Sequence, residues 1–266
     1  MRLYHRIHGL EPRSKMPDDC LVHPQVGPVF RAENSHTGRH LTEFTGLDFE
    51  MEIKESYTEA LDMTDYFMVK IFEGLTNNHQ KELQIISQQY PFTPLKFAKG
   101  KNYRMQYPEA IKLMRDAGLE NEDGTPISDT QDLSTKLEKW LGEYVLQKYD
   151  TDFWVLEKYP AEARPFYTMP DIDDARYTNS YDVFMRGQEI MSGAQRVHDA
   201  ELLVKQCKEK GVEPSQLQSY IEAFKYGAPP HAGGGIGLER VVSLFLGLDN
   251  VRKTSMFPRD PTRLTP

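Results

Sequence analysis

The chain has 266 residues, of which 39% are hydrophobic and 27% are charged, values typical of a globular protein with a substantial core. The mean hydropathy is −0.62 and no apolar run approaches the roughly 20 residues needed to cross a bilayer, which excludes a membrane-spanning protein. Asp and Glu outnumber Lys and Arg by 40 to 32, so the net charge of −8 excludes a basic body that coats nucleic acid and restricts polyanion contacts to a local basic patch.

The cysteine content and the N-terminal residues indicate the compartment. Cys20 and Cys207 are too few for a disulfide framework or a four-ligand cysteine zinc site, and this usage is typical of a reducing compartment. Residues 1–15 contain no apolar segment of a secretory signal. Their four basic residues faintly resemble a transit peptide, but the segment is short, has one serine and contains Pro12, so this is the weaker interpretation. A cytoplasmic location is therefore predicted.

The first half of the chain predicts an irregular segment, a long hairpin and several helices. Residues 1–25 contain three prolines and are predicted to be irregular. Apolar and polar residues alternate between positions 28 and 53, which predicts two strands joined by a loop over 34–39. Helical spacing and stop signals predict helices over 57–75, 79–89, 109–117 and 131–148, with an extended segment at 91–107.

The second half predicts strands first and helices later. The predicted elements are a buried strand at 153–156, a hairpin over 181–197 that turns at 186–188, helices over 199–210 and 214–225, and an apolar helix over 238–246. Hairpin-linked strands with helices grouped to one side predict an α+β fold built on an antiparallel sheet. The absence of alternating strand and helix units disfavours a dinucleotide-binding domain.

A glycine-rich segment precedes the last predicted helix. Four glycines occupy five positions over 233–237, which lets a backbone approach a ligand closely. A tight strand-to-helix turn explains them equally well, because the spacing matches neither of the common phosphate-binding glycine motifs. Arg240 follows on the helix and is a candidate phosphate ligand, although a surface arginine over apolar packing is the simpler interpretation without further context.

A second candidate group lies on the first predicted hairpin. Arg31 and Glu33 stand on one strand, and Arg39 and His40 stand across the loop. Arginine suits phosphate because its guanidinium is a planar fork that donates two parallel hydrogen bonds. The alternative is an exposed ladder of ion pairs that also includes Glu43.

A third candidate group lies on the predicted hairpin over 181–197. Asp182 and Glu189 supply two carboxylates of the kind that Mg²⁺ uses together with phosphate oxygens. Ser192 and Arg196 flank small residues, which leaves room for a small acidic ligand. A polar outer face of the hairpin is the alternative. The three groups together predict a site for ATP and an acidic small molecule, with Phe44 as an aromatic surface for a purine.

Two segments resemble motifs of a known family. Residues 29–35 (VFRAENS), 39–44 (RHLTEF) and 47–51 (LDFEM) resemble motif 2 of the class II aminoacyl-tRNA synthetases, and residues 233–240 (GGGIGLER) resemble motif 3. On this basis a catalytic domain is predicted over residues 26–266, with motif 2 at 28–53 and motif 3 at 231–247, after an unmatched segment over residues 1–25.

Further segments narrow the resemblance within that family. Residues 192–196 (SGAQR), 254–261 (TSMFPRDP) and 264–266 (LTP) are similar to cytosolic aspartyl-tRNA synthetases of the eukaryotic and archaeal type. Arg196 is the discriminating residue, because a cationic fork selects a carboxylate over the amide of asparagine or the ammonium of lysine. The resemblance therefore implies aspartate as the amino acid.

The resemblance implies a class II antiparallel sheet flanked by helices and a two-step ligase reaction. ATP and Mg²⁺ activate L-aspartate to aspartyl-adenylate, and the aspartyl group then passes to tRNA(Asp). It assigns catalysis to Arg31 and Arg240, ATP binding to Arg31, Glu33, Arg39, His40, Leu41, Phe44, Glu189, Gly237, Leu238, Glu239 and Arg240, aspartate binding to Arg31, Ser192 and Arg196, and Mg²⁺ binding to Asp182 and Glu189.

The family also has elements that residues 1–25 do not match. An anticodon-binding domain, motif 1 at the dimer interface and a stretch that contacts aspartate precede motif 2 in the family. A weakened homodimer with poor tRNA charging and retained ATP binding is therefore expected. A second interpretation is a synthetase-derived module that binds nucleotide or a partner without charging tRNA, and a third is an amide-forming ligase that uses the same adenylate.

Overall fold

The computed structural model describes residues 22–265, and its strands form one seven-stranded sheet in the order β1-β2-β7-β6-β5-β4-β3. The strands are β1 (Val22–Phe30), β2 (Glu43–Glu52), β3 (Tyr103–Gln106), β4 (Phe153–Glu157), β5 (Ser180–Met185), β6 (Gln188–Gln195) and β7 (His231–Gly237). The α-helices are α1 (Thr58–Asn78), α2 (Gln80–Gln89), α3 (Tyr107–Asp116), α4 (Thr135–Tyr149), α5 (Ala200–Glu209), α6 (Gln218–Lys225) and α7 (Leu238–Phe245). The α+β class is confirmed.

The sheet is mixed rather than purely antiparallel. β3 pairs with β4 in the parallel direction, whereas all the other neighbouring strands in the sheet are antiparallel. Parallel neighbours need a long crossover, and here the chain between β3 and β4 forms α3 and α4. The expectation of an antiparallel sheet was therefore wrong for this one edge pair.

The irregular segment predicted over residues 1–25 was wrong at its end, because β1 begins at Val22. Residues 1–21 lie outside the described residues. The amide of Arg31 donates to the carbonyl of Thr42 (2.8 Å), so the odd-numbered amides of β1 face β2 and the even-numbered positions face away from it. Pro24 and Pro28 occupy even positions of an edge strand, where the missing N–H breaks no hydrogen bond of the ladder.

The glycine-rich segment is a central strand rather than a turn. β7 lies between β2 and β6, and its register places Gly233 opposite Glu50 and Ala194. A Cβ atom on Gly233 would lie 2.1 Å from the carbonyl oxygen of Phe49, so no larger residue fits without moving the backbone. Close packing of strands is thus the physical reason for the glycines.

Most predicted helices form, with different ends. α1 extends to Asn78 rather than to residue 75, and α4 begins at Thr135 rather than near 131. The side chain of Ser134 accepts a hydrogen bond from the amide of Leu137 (3.4 Å), which places a cap at the start of α4. The extended segment at 91–107 contains only the short strand β3.

Two apolar clusters lie on opposite faces of the sheet. One packs α1 and α7 against alternate residues of the sheet such as Phe49, Val155 and Val183. The other packs α3 and α4 against the intervening residues of β3, β4 and β5, such as Trp154 and Phe184. On the other strands of that second face, Asp48, Ser192 and Gly235 are exposed, which leaves this part of the sheet accessible to a ligand. No helix among residues 22–265 is long and apolar enough to cross a membrane.

Candidate functional site

The accessible face of the sheet carries a row of residues from four neighbouring strands. Asp48 on β2 is opposite Gly235 on β7, Gly235 is opposite Ser192 on β6, and Ser192 is opposite Asp182 on β5. Residues paired in this way share one face of a sheet. Asp182 and Ser192 of the third predicted group therefore lie on the same surface of the sheet as β2 and β7. The loop before β2 contains the second predicted group, and α7, which contains Arg240, directly follows β7.

A β-bulge brings Glu189 to this face. Val183 pairs with Met191 but Phe184 pairs with Glu189, so Ile190 is an extra residue in β6. An extra residue reverses the alternation of side chains beyond it. Glu189 therefore joins Asp182 on the site face, and burial, followed by the negative charge of Asp182, raises the pKa of Glu189 to about 7.

The chemistry of these two carboxylates fits Mg²⁺. The buried Oδ1 atom of Asp182 has no hydrogen-bond donor, although Nη2 of Arg164 lies 2.8 Å away as an ion-pair partner. Among residues 22–265, no group of three or more His, Cys, Asp or Glu side chains is placed to hold a metal ion. A cation here would have Asp182 and Glu189 plus ligand oxygens, which is the set that Mg²⁺ uses with phosphates.

The raised pKa of Glu189 predicts that the stability of the fold depends on pH when no divalent cation is added. The unfolded chain releases this proton near the ordinary glutamate value, whereas the folded chain keeps it up to about pH 7, so this group's contribution to stability falls as pH rises through that window. Glu189→Gln removes this titrating group. We therefore expect the melting temperature of the variant minus that of the original chain to be larger at pH 8 than at pH 5. Glu143→Gln on the exposed face of α4 is the matched control. A difference that stays constant between pH 5 and pH 8 would contradict the prediction.

Arg240 joins the loop between β1 and β2, the 31–42 loop, to β6. Its Nη1 donates to the carbonyl of Glu189 (2.7 Å) and its Nη2 donates to the carbonyl of Arg39 (3.1 Å). Burial lowers the pKa of Arg240, and the positive charges of Arg39 and Arg31 act in the same direction, against the opposing charge of Glu189. Three arginines thus concentrate positive charge at one place, which suits a polyphosphate.

Glu138 is a member of this group that the sequence analysis missed. It lies in the first turn of α4, and its Oε2 atom accepts a hydrogen bond from Nη1 of Arg39 (3.0 Å). Burial raises the pKa of Glu138, and Arg39 opposes that shift. The carboxylate orients Arg39 from the side of α4. Nothing in the local sequence distinguishes this acid from the solvent-facing acids of the same helix.

The 31–42 loop holds the second predicted group. The Arg31 guanidinium carbon lies 5.2 Å from the centre of the Phe44 ring, so the two residues predicted to meet ATP are in contact. Glu33 accepts hydrogen bonds from the amide (3.1 Å) and the hydroxyl (2.5 Å) of Ser35, and the hydroxyl contact is the main reason that the pKa of Glu33 is lowered.

His40 also belongs to this loop. Its Nδ1 lies 2.6 Å from the Oγ1 atom of Thr37, a hydrogen bond within the loop. Burial lowers the pKa of His40, and the neighbouring arginines lower it further, whereas Glu33 opposes them. The imidazole therefore lies at the same cationic site as Arg240.

Some predicted ATP-binding residues have structural contacts of their own. The side chain of Leu41 is buried. Both carboxylate oxygens of Glu239 accept from the amide of Thr45 (2.9 Å each), which fixes the start of α7 to β2. Gly237 and Leu238 lie at the junction of β7 and α7. These residues shape the site through the backbone that they position.

Arg196 lies just beyond the end of β6, beside the row of Ser192. Its Nε lies 3.6 Å from the Oε2 atom of Glu50, and its guanidinium carbon lies 4.5 Å from the centre of the Tyr167 ring. Burial is the largest influence on the pKa of Arg196 and lowers it, but Glu50, Tyr167 and Tyr220 together outweigh burial and the pKa of Arg196 is raised. The pKa of Glu50 is itself raised by burial, and its Oε1 has no hydrogen-bond partner among the described residues. The guanidinium of Arg196 is thus held in place at a partly buried position.

Arg164 is a second residue that the sequence analysis missed. Its Nη1 donates to the hydroxyl of Ser192 (3.0 Å), its Nη2 pairs with Asp182, and its guanidinium carbon lies 3.9 Å from the centre of the Tyr159 ring. Arg164 therefore joins the predicted aspartate subsite to the predicted magnesium subsite. It follows a single turn of 3₁₀ helix, Ala161–Ala163, where periodicity gives no signal.

Comparison with known proteins identifies the family of the chain. Residues 24–261 match the family model described as tRNA synthetases class II (D, K and N), and the chain belongs to that family. It is 54% identical over 241 residues to aspartate–tRNA ligases named cytoplasmic from Caenorhabditis elegans and Homo sapiens, a match that covers 91% of this chain and 44% and 47% of those proteins. The chain thus spans about half the length of the curated relatives that it matches.

Solved structures show the same fold. An aspartyl-tRNA synthetase from Entamoeba histolytica matches with a TM-score of 0.86 and 53% identity over 92% of this chain and 49% of that one. An asparaginyl-tRNA synthetase from Pyrococcus horikoshii, in complex with asparaginyl-adenylate, matches with a TM-score of 0.77 and 29% identity over 92% of this chain and 54% of that one. The resemblance to class II synthetases is confirmed. The boundary between residues 1–25 and a domain over 26–266 stays a prediction.

Proposed function

We propose that this chain is the catalytic domain of a cytoplasmic aspartate–tRNA ligase, which activates L-aspartate with ATP and transfers the aspartyl group to tRNA(Asp). The observation that carries the proposal is the partly buried guanidinium of Arg196, held by Glu50 next to the row that contains Ser192 and Asp182. Its planar fork selects a carboxylate because it offers charge and two parallel donors.

The nucleotide would lie over the 31–42 loop and β2. Arg31 binds the α-phosphate and the α-carboxylate of aspartate, and Phe44, which Arg31 contacts, stacks on adenine. Glu33 contacts adenine or the acceptor end of the tRNA. Arg39 and His40 bind the triphosphate tail. Their common location at one cationic site supports these roles.

The other end of the nucleotide would meet α7. Arg240 binds the γ-phosphate, which its position between Arg39 and Glu189 supports. The remaining contacts to ATP come from the residues that complete the site, namely Leu41, Glu189, Gly237, Leu238 and Glu239.

The reaction needs positioning rather than a protein nucleophile. A carboxylate oxygen of aspartate attacks the α-phosphorus, the bond to the bridging oxygen breaks, and pyrophosphate leaves with the electron pair. Arg31 and Arg240 hold the two ends of the triphosphate in line and neutralise the charge that develops. In the second step a terminal ribose hydroxyl of the tRNA attacks the aspartyl carbonyl and releases AMP.

Mg²⁺ would be held by Asp182 and Glu189, where it supplies charge neutralisation for the phosphate oxygens. Arg164 keeps the Asp182 carboxylate in place through the ion pair with Oδ1. A homodimer stays a prediction. A synthetase-derived module that binds without charging is not favoured, because the curated relatives named above are aspartate–tRNA ligases.

Pyrophosphate exchange tests the proposal directly. We expect the chain to exchange labelled pyrophosphate into ATP only when L-aspartate and Mg²⁺ are both present, because the adenylate forms reversibly from these substrates. The control is Arg176→Met, which changes an exposed arginine paired with Asp174 away from the site. Exchange that proceeds as well with asparagine or lysine as with aspartate would refute the substrate assignment, and no exchange with any amino acid would refute the activity.

A further inference from the structure

Residues 249–263, the C-terminal segment, follow α7 and run along the 31–42 loop. The amide of Val251 donates to the carbonyl of Gly38 (2.7 Å), and the amide of Thr42 donates to the carbonyl of Arg259 (2.8 Å). Two backbone hydrogen bonds therefore join the segment to the middle and to the end of the loop. Neither bond involves a side chain, so the backbone of the segment itself follows the backbone of the loop at these two points.

Arg252 adds a side-chain bridge between the loop and the segment. Its Nη1 donates to the carbonyl of Thr37 (2.7 Å) and its Nε donates to the Oδ2 atom of Asp260 (2.7 Å). The side chains of Arg252 and Asp260 are only 18% and 7% exposed. Hydrogen bonds from Thr262 and then from Arg252 hold the pKa of Asp260 far below its usual range, so this acceptor stays charged.

The loop also approaches the segment too closely for a larger residue at one point. A Cβ atom on Gly38 would lie 3.1 Å from the carbonyl oxygen of Asp249, which is tighter than an ordinary contact with backbone. Gly38 thus lies between Thr37, which Arg252 holds, and Arg39, whose carbonyl Arg240 holds. The chain is fixed on both sides of the residues proposed to meet the triphosphate tail.

Glu138 and Arg240 hold the loop at Arg39, whereas residues 34–38 meet the rest of the described protein mainly through the C-terminal segment. The loop residues from 34 to 38 are mostly exposed and polar. A loop of this kind samples many conformations unless hydrogen bonds hold it. Binding to a triphosphate then becomes tighter when the cationic groups are already in place, because less ordering accompanies binding.

We propose that the C-terminal segment is a clamp for the 31–42 loop and that Arg252 is a positioning residue, which holds Arg39 and His40 ready for the ATP triphosphate through Thr37 and Asp260. The effect on ATP rests on the proposed function, whereas the clamp itself rests on the contacts alone. Arg252 touches no substrate group and acts through the loop.

The test combines two measurements on the same variants. Amide hydrogen exchange of residues 34–42 is followed without ligand, and ATP affinity is measured by calorimetric titration with Mg²⁺ present. We expect Arg252→Met to speed exchange of the loop and to weaken ATP binding by about tenfold each, as loss of a charge-assisted hydrogen bond does. Arg252→Lys keeps the charge without the fork and should recover part of the affinity.

The matched control is Arg263→Met, which removes the same charge from the same segment. The side chain of Arg263 makes no hydrogen bond or ion pair with the described residues, so both readouts should match those of the original chain. If Arg252→Met fails to fold, Gly38→Ala replaces it, because a Cβ facing Asp249 loosens the same contact without a change of charge.

Each result decides one part of the proposal. Unchanged loop exchange in a folded Arg252→Met chain would overturn the clamp. Faster exchange with unchanged ATP affinity would overturn the positioning role. If the original chain binds no ATP, the proposed function fails, and loop exchange still decides whether the clamp exists.

Discussion

Replacing Arg196 with leucine is expected to raise the aspartate concentration for half-maximal pyrophosphate exchange by two orders of magnitude or more. The side-chain carboxylate of aspartate would then be buried without its charge partner, which costs about 3–5 kcal/mol. Glu50 would lose the guanidinium 3.6 Å from its Oε2, although burial already raises its pKa and so permits protonation. The ATP requirement should change far less, because the contacts proposed for ATP lie on the 31–42 loop and on α7.

Two further variants make this result specific. Arg196→Lys keeps a charge but loses the planar fork, so an intermediate aspartate requirement is expected. Arg176→Leu removes an exposed arginine that pairs with Asp174 and should leave the requirement unchanged. An Arg196→Leu chain that folds and keeps the original aspartate requirement would exclude this residue from the amino-acid subsite.

Replacing Gly233 with alanine is expected to lower the free energy of unfolding by about 3 kcal/mol or more. The new Cβ would lie 2.1 Å from the carbonyl oxygen of Phe49 and 2.7 Å from the Cα of Glu50. Both atoms are backbone of β2, so the strands must separate at the centre of the sheet. Denaturant unfolding measures the loss, and the melting temperature should fall by roughly 6–12 °C.

For Gly74, in contrast to Gly233, we expect replacement with alanine to stabilise the fold. Gly74 lies inside α1, and a Cβ there would meet nothing within 4 Å. Gly74→Ala should therefore stabilise the fold by about 0.5–1 kcal/mol through lower backbone entropy of the unfolded chain. If Gly233→Ala were as stable as the original chain, the close spacing of β2 and β7 would be wrong.

Local rules account for the elements that the sequence predicted well. The β5–β6 hairpin turns at Arg186 and Gly187, both with positive φ (49° and 70°), as the glycine signal indicated. α2 ends at Gln89, just before Pro91, for the reason that proline cannot continue a helix. Strand order and the parallel β3–β4 pair depend on contacts between distant segments, for which the local pattern holds no information.

The residues of the site also fall into those that local sequence predicts and those that only the folded chain brings together. Arg31, Arg39 and Arg240 lie in contiguous motifs that can be read along the chain, and the structure brings them together. Glu138 meets Arg39 from 99 residues away and Arg252 meets Thr37 from 215 residues away, so no local spacing could pair them. Likewise, the one-residue bulge that turns Glu189 onto the site face leaves no trace in the alternation of a segment this short.

Among residues 22–265, β1 is an edge strand of the sheet, and this position has a consequence for self-association. Val26 and Phe30 are 65% and 69% exposed on β1, so it presents an apolar border of a large sheet, the kind of surface that recruits further strands into aggregates. Its five outward-facing positions include Pro24 and Pro28, which have no N–H to offer. An incoming strand would find donors at three of those five positions and would leave its own carbonyls unpaired opposite the other two. The two prolines therefore oppose the addition of further strands to β1 and so protect this edge of the sheet from aggregation.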